Sequence, residues 1–309
     1  MALRVTFLGN DRWSVPSLRA LASSTHGVVA VVTAAPKPAG RGNRLRSTPV
    51  AVAARELELP LLEMETVRSD QGRSELASTE PDVLAVVAYG ELLPKAVLEL
   101  PKVAPVNLHF SLLPALRGAS PVQAALLLGM GETGVSTIVM DEGMDTGPVL
   151  LQHREPIEPG DDAGSLGMRL ASHGARILVG SIDLLAAGGA HPIPQDNALA
   201  TFAPKLRPRD RVLDWSNDAR DLVNRCRALS PEPGATTTFR GDDLKVFGGE
   251  LVEASGDPGA IVEVDKDGFV VATGDGGFRP LALAPSSRGR MRSRDFVNGY
   301  RPTLGERLG

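Results

Sequence analysis

Apolar residues in the first half of the chain fall into short runs separated by segments of longer period. The runs at 4–8, 28–32, 61–63, 83–87, 106–109 and 135–140 are brief, and those at 28–32 and 83–87 are rich in valine, as strands buried on both faces are. Between them, apolar positions recur at helical spacing near 14–23, 49–58, 93–98 and 120–128, and a long helix is expected over about 163–187, ending at Gly188-Gly189. This alternation predicts an α/β fold with a mostly parallel sheet and helices on both faces. Residues 190–206 carry three prolines and no strong period, which reads as an extended linker. Beyond it the pattern changes. One short helix near 217–229, capped by Ser216, precedes β-rich runs near 235–239, 244–248, 259–264, 269–273 and 278–283, a spacing that suggests a small closed or half-closed barrel. The expected organisation is a catalytic domain over 1–189, a linker over 190–206 and a second domain over 207–309.

One segment carries chemistry. Side chains alternate along a strand, so Val106 and Leu108 face one way and Asn107 and His109 the other. Ser120-Pro121-Val122-Gln123 then supplies a helix N-cap, a proline at the first helical position and a back-bonding glutamine. A second β-rich run leads into Asp141-Glu-Gly-Met-Asp145-Thr-Gly147. Read as a βαβ unit, this makes the two strands parallel and brings His109 and Asp145 to the same edge of the sheet. An imidazole can move a proton near neutral pH, a carboxylate can orient it, and an asparagine amide can donate to a developing oxyanion. No serine or cysteine sits in a nucleophile elbow, so the attacking group should come from a substrate. The bland alternative is a turn cap, a satisfied buried histidine and an Asx-turn. The spacing within one unit favours the chemical reading over it.

Composition narrows the field. At 309 residues, two domains are the first expectation. With Cys226 the only cysteine there is no internal disulfide and no thiolate cluster, and the five histidines lack metal-ligand spacing. The segment after the first strand, Gly9-Asn-Asp-Arg-Trp-Ser14, lacks the further glycines of a dinucleotide site. The amino terminus does not resemble a signal peptide and no apolar run would span a bilayer, so a cytoplasmic, non-membrane protein is expected. No coiled-coil or dimer signature is visible, and a monomer is expected. Net charge is −4, yet basic residues cluster at Lys37, Arg41, Arg44 and Arg46, at Lys205, Arg207, Arg209 and Arg211, and at Arg288, Arg290, Arg292 and Arg294. Three clusters in an acidic chain point to a polyanion that is positioned rather than read. The first lies in 36–48, whose glycines and prolines read as an exposed mobile loop.

The wording of the motifs resembles the folate-dependent formyltransferases nearly end to end. It does so through Val106-Asn-Leu-His-Phe-Ser-Leu-Leu-Pro114, Arg117-Gly-Ala-Ser-Pro-Val-Gln123 and Asp141-x-Gly-Met-Asp-Thr-Gly147, and through Pro36-Lys-Pro-Ala-Gly-Arg-Gly42, Val87-Ala-Tyr-Gly90, 193–204, Leu213-Asp-Trp215 and Lys245-Val-Phe247. The Gly-Arg-Gly loop and the C-terminal part resemble the branch that acts on methionyl-tRNA. The resemblance implies a Rossmann-like catalytic domain and an OB-like domain that binds tRNA. It implies 10-formyltetrahydrofolate as formyl donor, with no metal, and initiator methionyl-tRNA as acceptor. Asn107, His109 and Asp145 would be catalytic. Ser111, Leu112, Leu113 and Pro114 would line the folate site, with Ala88, Tyr89, Gly90 and Leu92 around the pteridine. Arg41, Arg44, Lys205, Arg288, Arg290 and Arg292 would meet the tRNA. Two departures stand out: 230–239 lacks the bulky residue often found after its proline pair, and Asn43 stands where a second basic residue is common. Two rivals stay open, a formyltransferase or hydrolase acting on a small molecule and a catalytically silent tRNA-binding protein.

Overall fold

The computed structural model describes residues 1–39 and 44–309. It divides into two compact units, one of residues 1–121, 133–156 and 167–204, the other of residues 122–132, 157–166 and 205–309. The chain order in the first half is β1 (Arg4–Gly9), α1 (Val15–Ala22), β2 (Gly27–Ala34), β3 (Lys37–Ala39), β4 (Arg44–Arg46), α2 (Pro49–Glu56), β5 (Leu61–Met64), α3 (Asp70–Ala77), β6 (Val83–Val87), α4 (Lys95–Leu98), β7 (Ala104–His109), α5 (Pro121–Leu127), β8 (Glu132–Val139), β9 (Val149–Pro156) and α6 (Ala163–Ala186).

The first unit is a Rossmann-like sheet of seven strands in the order β5-β2-β1-β6-β7-β8-β9. The pairs from β5 to β7 are parallel. Every residue of β6 is buried, which a strand achieves only when both faces of its sheet are covered. Helix α6 backs the strand that carries Asn107 and His109. Leu170, Leu178 and Ile182 lie along its buried stripe, and Ser181 Oγ meets Thr137 Oγ1 of β8 at 2.6 Å. Gly174 lets the two elements approach: a Cβ there would stand 2.7 Å from Cδ2 of Leu108, itself fully buried.

One expectation is overturned. Strands β7 and β8 are antiparallel, with Val106 opposite Val139 and His109 opposite Ser136. A parallel pair needs a crossover lying on the sheet, but residues 122–132, most of α5 included, belong to the second compact unit. The chain therefore re-enters the sheet at the edge it left. Smaller differences follow the same logic of local signals. Within 36–48, Lys37 pairs with Arg46 and Pro38 with Leu45, so the expected loop has a two-stranded ribbon at its base. Strand β9 and helix α3 were not expected from the pattern. The cap of the helix expected near 217–229 is Asp218 rather than Ser216.

The second unit holds α7 (Ala219–Ala228), β10 (Ala235–Phe239), β11 (Asp242–Val252), β12 (Ile261–Val264), β13 (Phe269–Ala272), β14 (Gly277–Pro285), β15 (Met291–Arg292) and α8 (Ser293–Tyr300). Its antiparallel sheet has the order β10-β11-β14-β13-β12, with β15 beside β14. Phe239 on one edge bridges Leu308, and Ala260, next to the other edge, bridges Arg307. The last residues of the chain thus cover both edges, which would otherwise be open to pairing with other strands. Trp215, Phe239, Phe269, Phe278 and Phe296 build its core.

Candidate active site

Strand β7 places its residues as the alternation requires. Val106 and Leu108 are buried toward the core, while Asn107 is half-exposed and His109 lies at 5% exposure. Asp145 arrives from the loop between β8 and β9. Because β8 ends opposite Val106, that loop has to run back about 10 Å along β7 to reach His109. It does so: Asn107 Nδ2 donates to Asp145 Oδ1 at 3.4 Å, and His109 Nδ1 lies 3.5 Å from Asp145 Oδ2. Asp145 Oδ2 also accepts from the Gly118 amide at 2.8 Å. The three side chains converge, by a different route from the one the pattern predicts.

The imidazole orientation follows from its other partner. His109 Nε2 lies 2.9 Å from the Leu116 carbonyl oxygen, which can only accept, so Nε2 carries a proton. Nδ1 faces Asp145. Leu116 (φ 58°), Asp145 (φ 56°) and Ala88 (φ 42°) all hold left-handed backbone without being glycine. Such residues cost free energy unless their surroundings enforce them, and they collect at functional sites.

The proposed folate segment is closely bonded. Ser111 Oγ donates to the Ala115 carbonyl at 2.6 Å. Ser136 Oγ donates to the Ser111 carbonyl at 2.7 Å and accepts from the Leu113 amide at 3.0 Å. Ser111 and Leu113 are buried, so their side chains shape this segment from inside, while Leu112 and Pro114 are half-buried. At the end of β6, the Asn10 amide donates to the Tyr89 carbonyl, and its oxygen accepts from the Ala34 amide at 2.7 Å and the Thr33 hydroxyl at 2.8 Å. Burial, then the nearby Glu91, pushes the Tyr89 hydroxyl well above the ordinary tyrosine range, so it stays neutral. Gly90 and Leu92 are exposed.

Of the basic residues, Arg41 lies outside the described residues, and Arg44 begins β4. Lys205, Arg288, Arg290 and Arg292 are exposed, all in the second unit. Arg290 lies over the Phe247 ring, 4.7 Å from its centroid. Residues that pattern reading missed are Leu116, Gly118 and Gln195. The last lies in 193–204, one of the segments that carry the family resemblance, but nothing in its residue type marks its role.

One group among the described residues could offer metal ligands: His153, Glu155 and His173, whose donor atoms lie within 4.8 Å of one another. Its geometry speaks for an ion-pair cluster. The two rings stack at 4.3 Å and 19°, their Nε2 atoms lie 3.3 and 3.6 Å from Glu155 Oε2, and Arg169 Nε already donates to Glu155 Oε1 at 2.6 Å. Burial holds His173 toward its neutral form, Glu155 opposing and His153 adding to it.

Comparison with known proteins places these features. Residues 3–182 match the formyl transferase family model, and residues 205–301 match the formyl transferase C-terminal domain. The chain belongs to the formyltransferase family. Methionyl-tRNA formyltransferase of Acidithiobacillus ferrooxidans is 41% identical to this formyltransferase over 308 residues, covering 99% of this chain and 98% of that one. In fold, the chain is similar to HypX from Aquifex aeolicus in complex with tetrahydrofolic acid (TM-score 0.66, 16% identity, covering 99% of this chain and 49% of that chain). It is also similar to methionyl-tRNA formyltransferase from Clostridium thermocellum (TM-score 0.57, 17% identity, covering 81% and 93%). Among the described residues of this formyltransferase, no helix is long and apolar enough to cross a membrane.

Proposed function

We propose that this formyltransferase moves a formyl group from 10-formyltetrahydrofolate to the α-amine of methionine carried on initiator tRNA, in the cytoplasm and as a monomer. The observation that carries the reading is the convergence of Asn107 and His109 on Asp145. The amine attacks the formyl carbon, forming a C–N bond and a tetrahedral oxyanion. Asn107, through the amide N–H not given to Asp145, and His109, through an Nδ1–H shared with Asp145, would donate hydrogen bonds to that oxygen, a contribution worth about 10²–10³ in rate for one well-placed donor. Asp145 aligns the imidazole. The bond from carbon to the folate nitrogen then breaks as the proton lost by the amine passes to that nitrogen.

Ser111–Pro114 and the turn at Ala88–Leu92 would hold the folate, the first stiffened by Ser136 and the second by Asn10. No metal is assigned, because the formyl group is already activated on nitrogen. Lys205, Arg288, Arg290 and Arg292 would meet tRNA phosphates, together with Arg41 and Arg44. The deciding assay supplies 10-formyltetrahydrofolate with charged initiator tRNA and follows formyl transfer. Formyl transfer to the aminoacyl-tRNA supports the reading. Activity on free methionine, a nucleotide or an amino sugar, with none on the aminoacyl-tRNA, overturns it.

A further inference from the structure

Strand β8 ends at the wrong edge for its aspartate, so the loop that carries Asp145, tied to β8 where the Val139 amide donates to the Pro148 carbonyl, needs a second support. The support comes from residues 193–203. Gln195 Nε2 donates to the backbone carbonyls of Asp145 at 2.8 Å and Gly147 at 2.7 Å. Its other amide atom, Oε1, accepts from Arg117 Nε at 3.1 Å and Nη2 at 2.8 Å. Arg117 is buried at 4% exposure and gives a further bond to Asn197 Oδ1 at 2.9 Å. Among the described residues its guanidinium meets amide oxygens and no carboxylate. The same segment holds the other side of the site. The Arg117 amide donates to the Thr201 carbonyl, the Ala203 amide donates to the Arg117 carbonyl, and the Leu116 amide donates to Thr201 Oγ1. Leu116 is the residue whose carbonyl orients His109.

We infer that Gln195 is a positioning residue for the reaction. It ties the Asp145 loop to Arg117, so that the carboxylate and the imidazole are held from one common strut. The inference rests on the proposed role of Asp145. Amide chemistry suits the task because one side chain must both donate to two carbonyls and accept from a guanidinium, which neither a carboxylate nor an amine does. The strut also explains how Asp145 and Leu116 keep left-handed backbone: both are bonded to it, and a Cβ on Gly118 would lie only 2.7 Å from the Ala203 carbonyl oxygen.

Gln195→Glu separates the two halves of the bracket. The carboxylate still accepts from Arg117, now as an ion pair, but faces the Asp145 and Gly147 carbonyls with no donor. Expected results are kcat lowered about 10- to 100-fold, KM for both substrates within about threefold, and a melting temperature close to wild type. In an Asp145→Ala background the same change should have almost no further effect, because the group it positions is gone. A merely structural residue would lower both backgrounds by the same factor, and that additivity would overturn the inference, as would an unchanged kcat. If Gln195→Glu fails to fold, Gln195→Met of similar volume is run through the same cycle with the same two outcomes. The wild-type and Asp145→Ala rates keep the readings apart. An inactive wild type, or a fully active Asp145→Ala, rejects the proposed function, whereas a loss on Asp145→Ala with none on Gln195→Glu rejects only the strut.

Discussion

Two carboxylates in the first unit sit beside histidines, and they are held in opposite ways. Glu155 is bound by a permanent cation, Arg169, at 2.6 Å, with His153 and His173 at 3.3 and 3.6 Å from its other oxygen. Asp145 is bound by neutral donors, the Gly118 amide and the Asn107 side chain, and among the described residues its one ionisable partner is His109. The charge of Glu155 is already matched, so its two histidines are held beside it without being needed as cations. The charge of Asp145 has no permanent cation beside it among the described residues, only an imidazole. Both carboxylates are largely buried, so burial alone does not separate structural from catalytic acids. The identity of the partner does.

The largest test of that contrast is removal of the proposed catalytic pair. Asp145→Ala and His109→Ala should each lower kcat by about 10²–10⁴-fold in steady-state formylation, with Asn107→Ala toward the lower end. Glu155→Gln should reverse the pattern. Formylation should stay near wild type, while urea unfolding shows a loss of about 1–3 kcal/mol, since Arg169 loses its charged acceptor in a mostly buried place. If Glu155→Gln proves as inactive as Asp145→Ala, the distinction fails.

Smaller effects test the surface. Arg290→Ala should raise KM for the charged tRNA without changing kcat, and reduce the salt slope of tRNA binding by about 1, as loss of one phosphate contact does. An unchanged slope would place Arg290 outside the interface. The smallest effect belongs to a carboxylate paired like Glu155 but exposed. Hydrogen bonds from Arg240, then the Thr303 amide, hold Glu306 down to about 2 against an ordinary 4.5. A carboxyl group lowered on folding stabilises the protein above its ordinary value, and that contribution is lost as pH falls through its folded value. Glu306→Gln should therefore melt slightly below wild type at pH 7, with the gap closing between about pH 4.5 and 2.

Much of this was legible in the chain. The valine-rich run of β6 and the alternation of β7 gave strand, face and candidate chemistry together, because burial and pleat leave a direct trace in residue order. Strand direction leaves none. The period of β8 fixes which side chains face inward but not which way it runs, and only the fate of α5 decides that. Strand β9 was hidden by its polar stretch Gln152-His153-Arg154, and α3 by having one leucine in eight residues. Helix α8 was obscured by the arginines that precede it, although Phe296 anchors it in the core. Gln195 could not be found at all, since its importance lies in contacts with residues about 50 and 80 positions away.

Gly174 packs against Leu108, on the face of β7 opposite Asn107 and His109, and so sets the height of that strand. Alanine would raise local helix propensity by about 1 kcal/mol, an exchange that a search for heat-resistant variants would favour. Here the added methyl would press on Leu108 and lift its neighbours Asn107 and His109 with it. Overpacking would offset the propensity gain, and any loss of rate would arise with nothing near the reacting atoms to explain why.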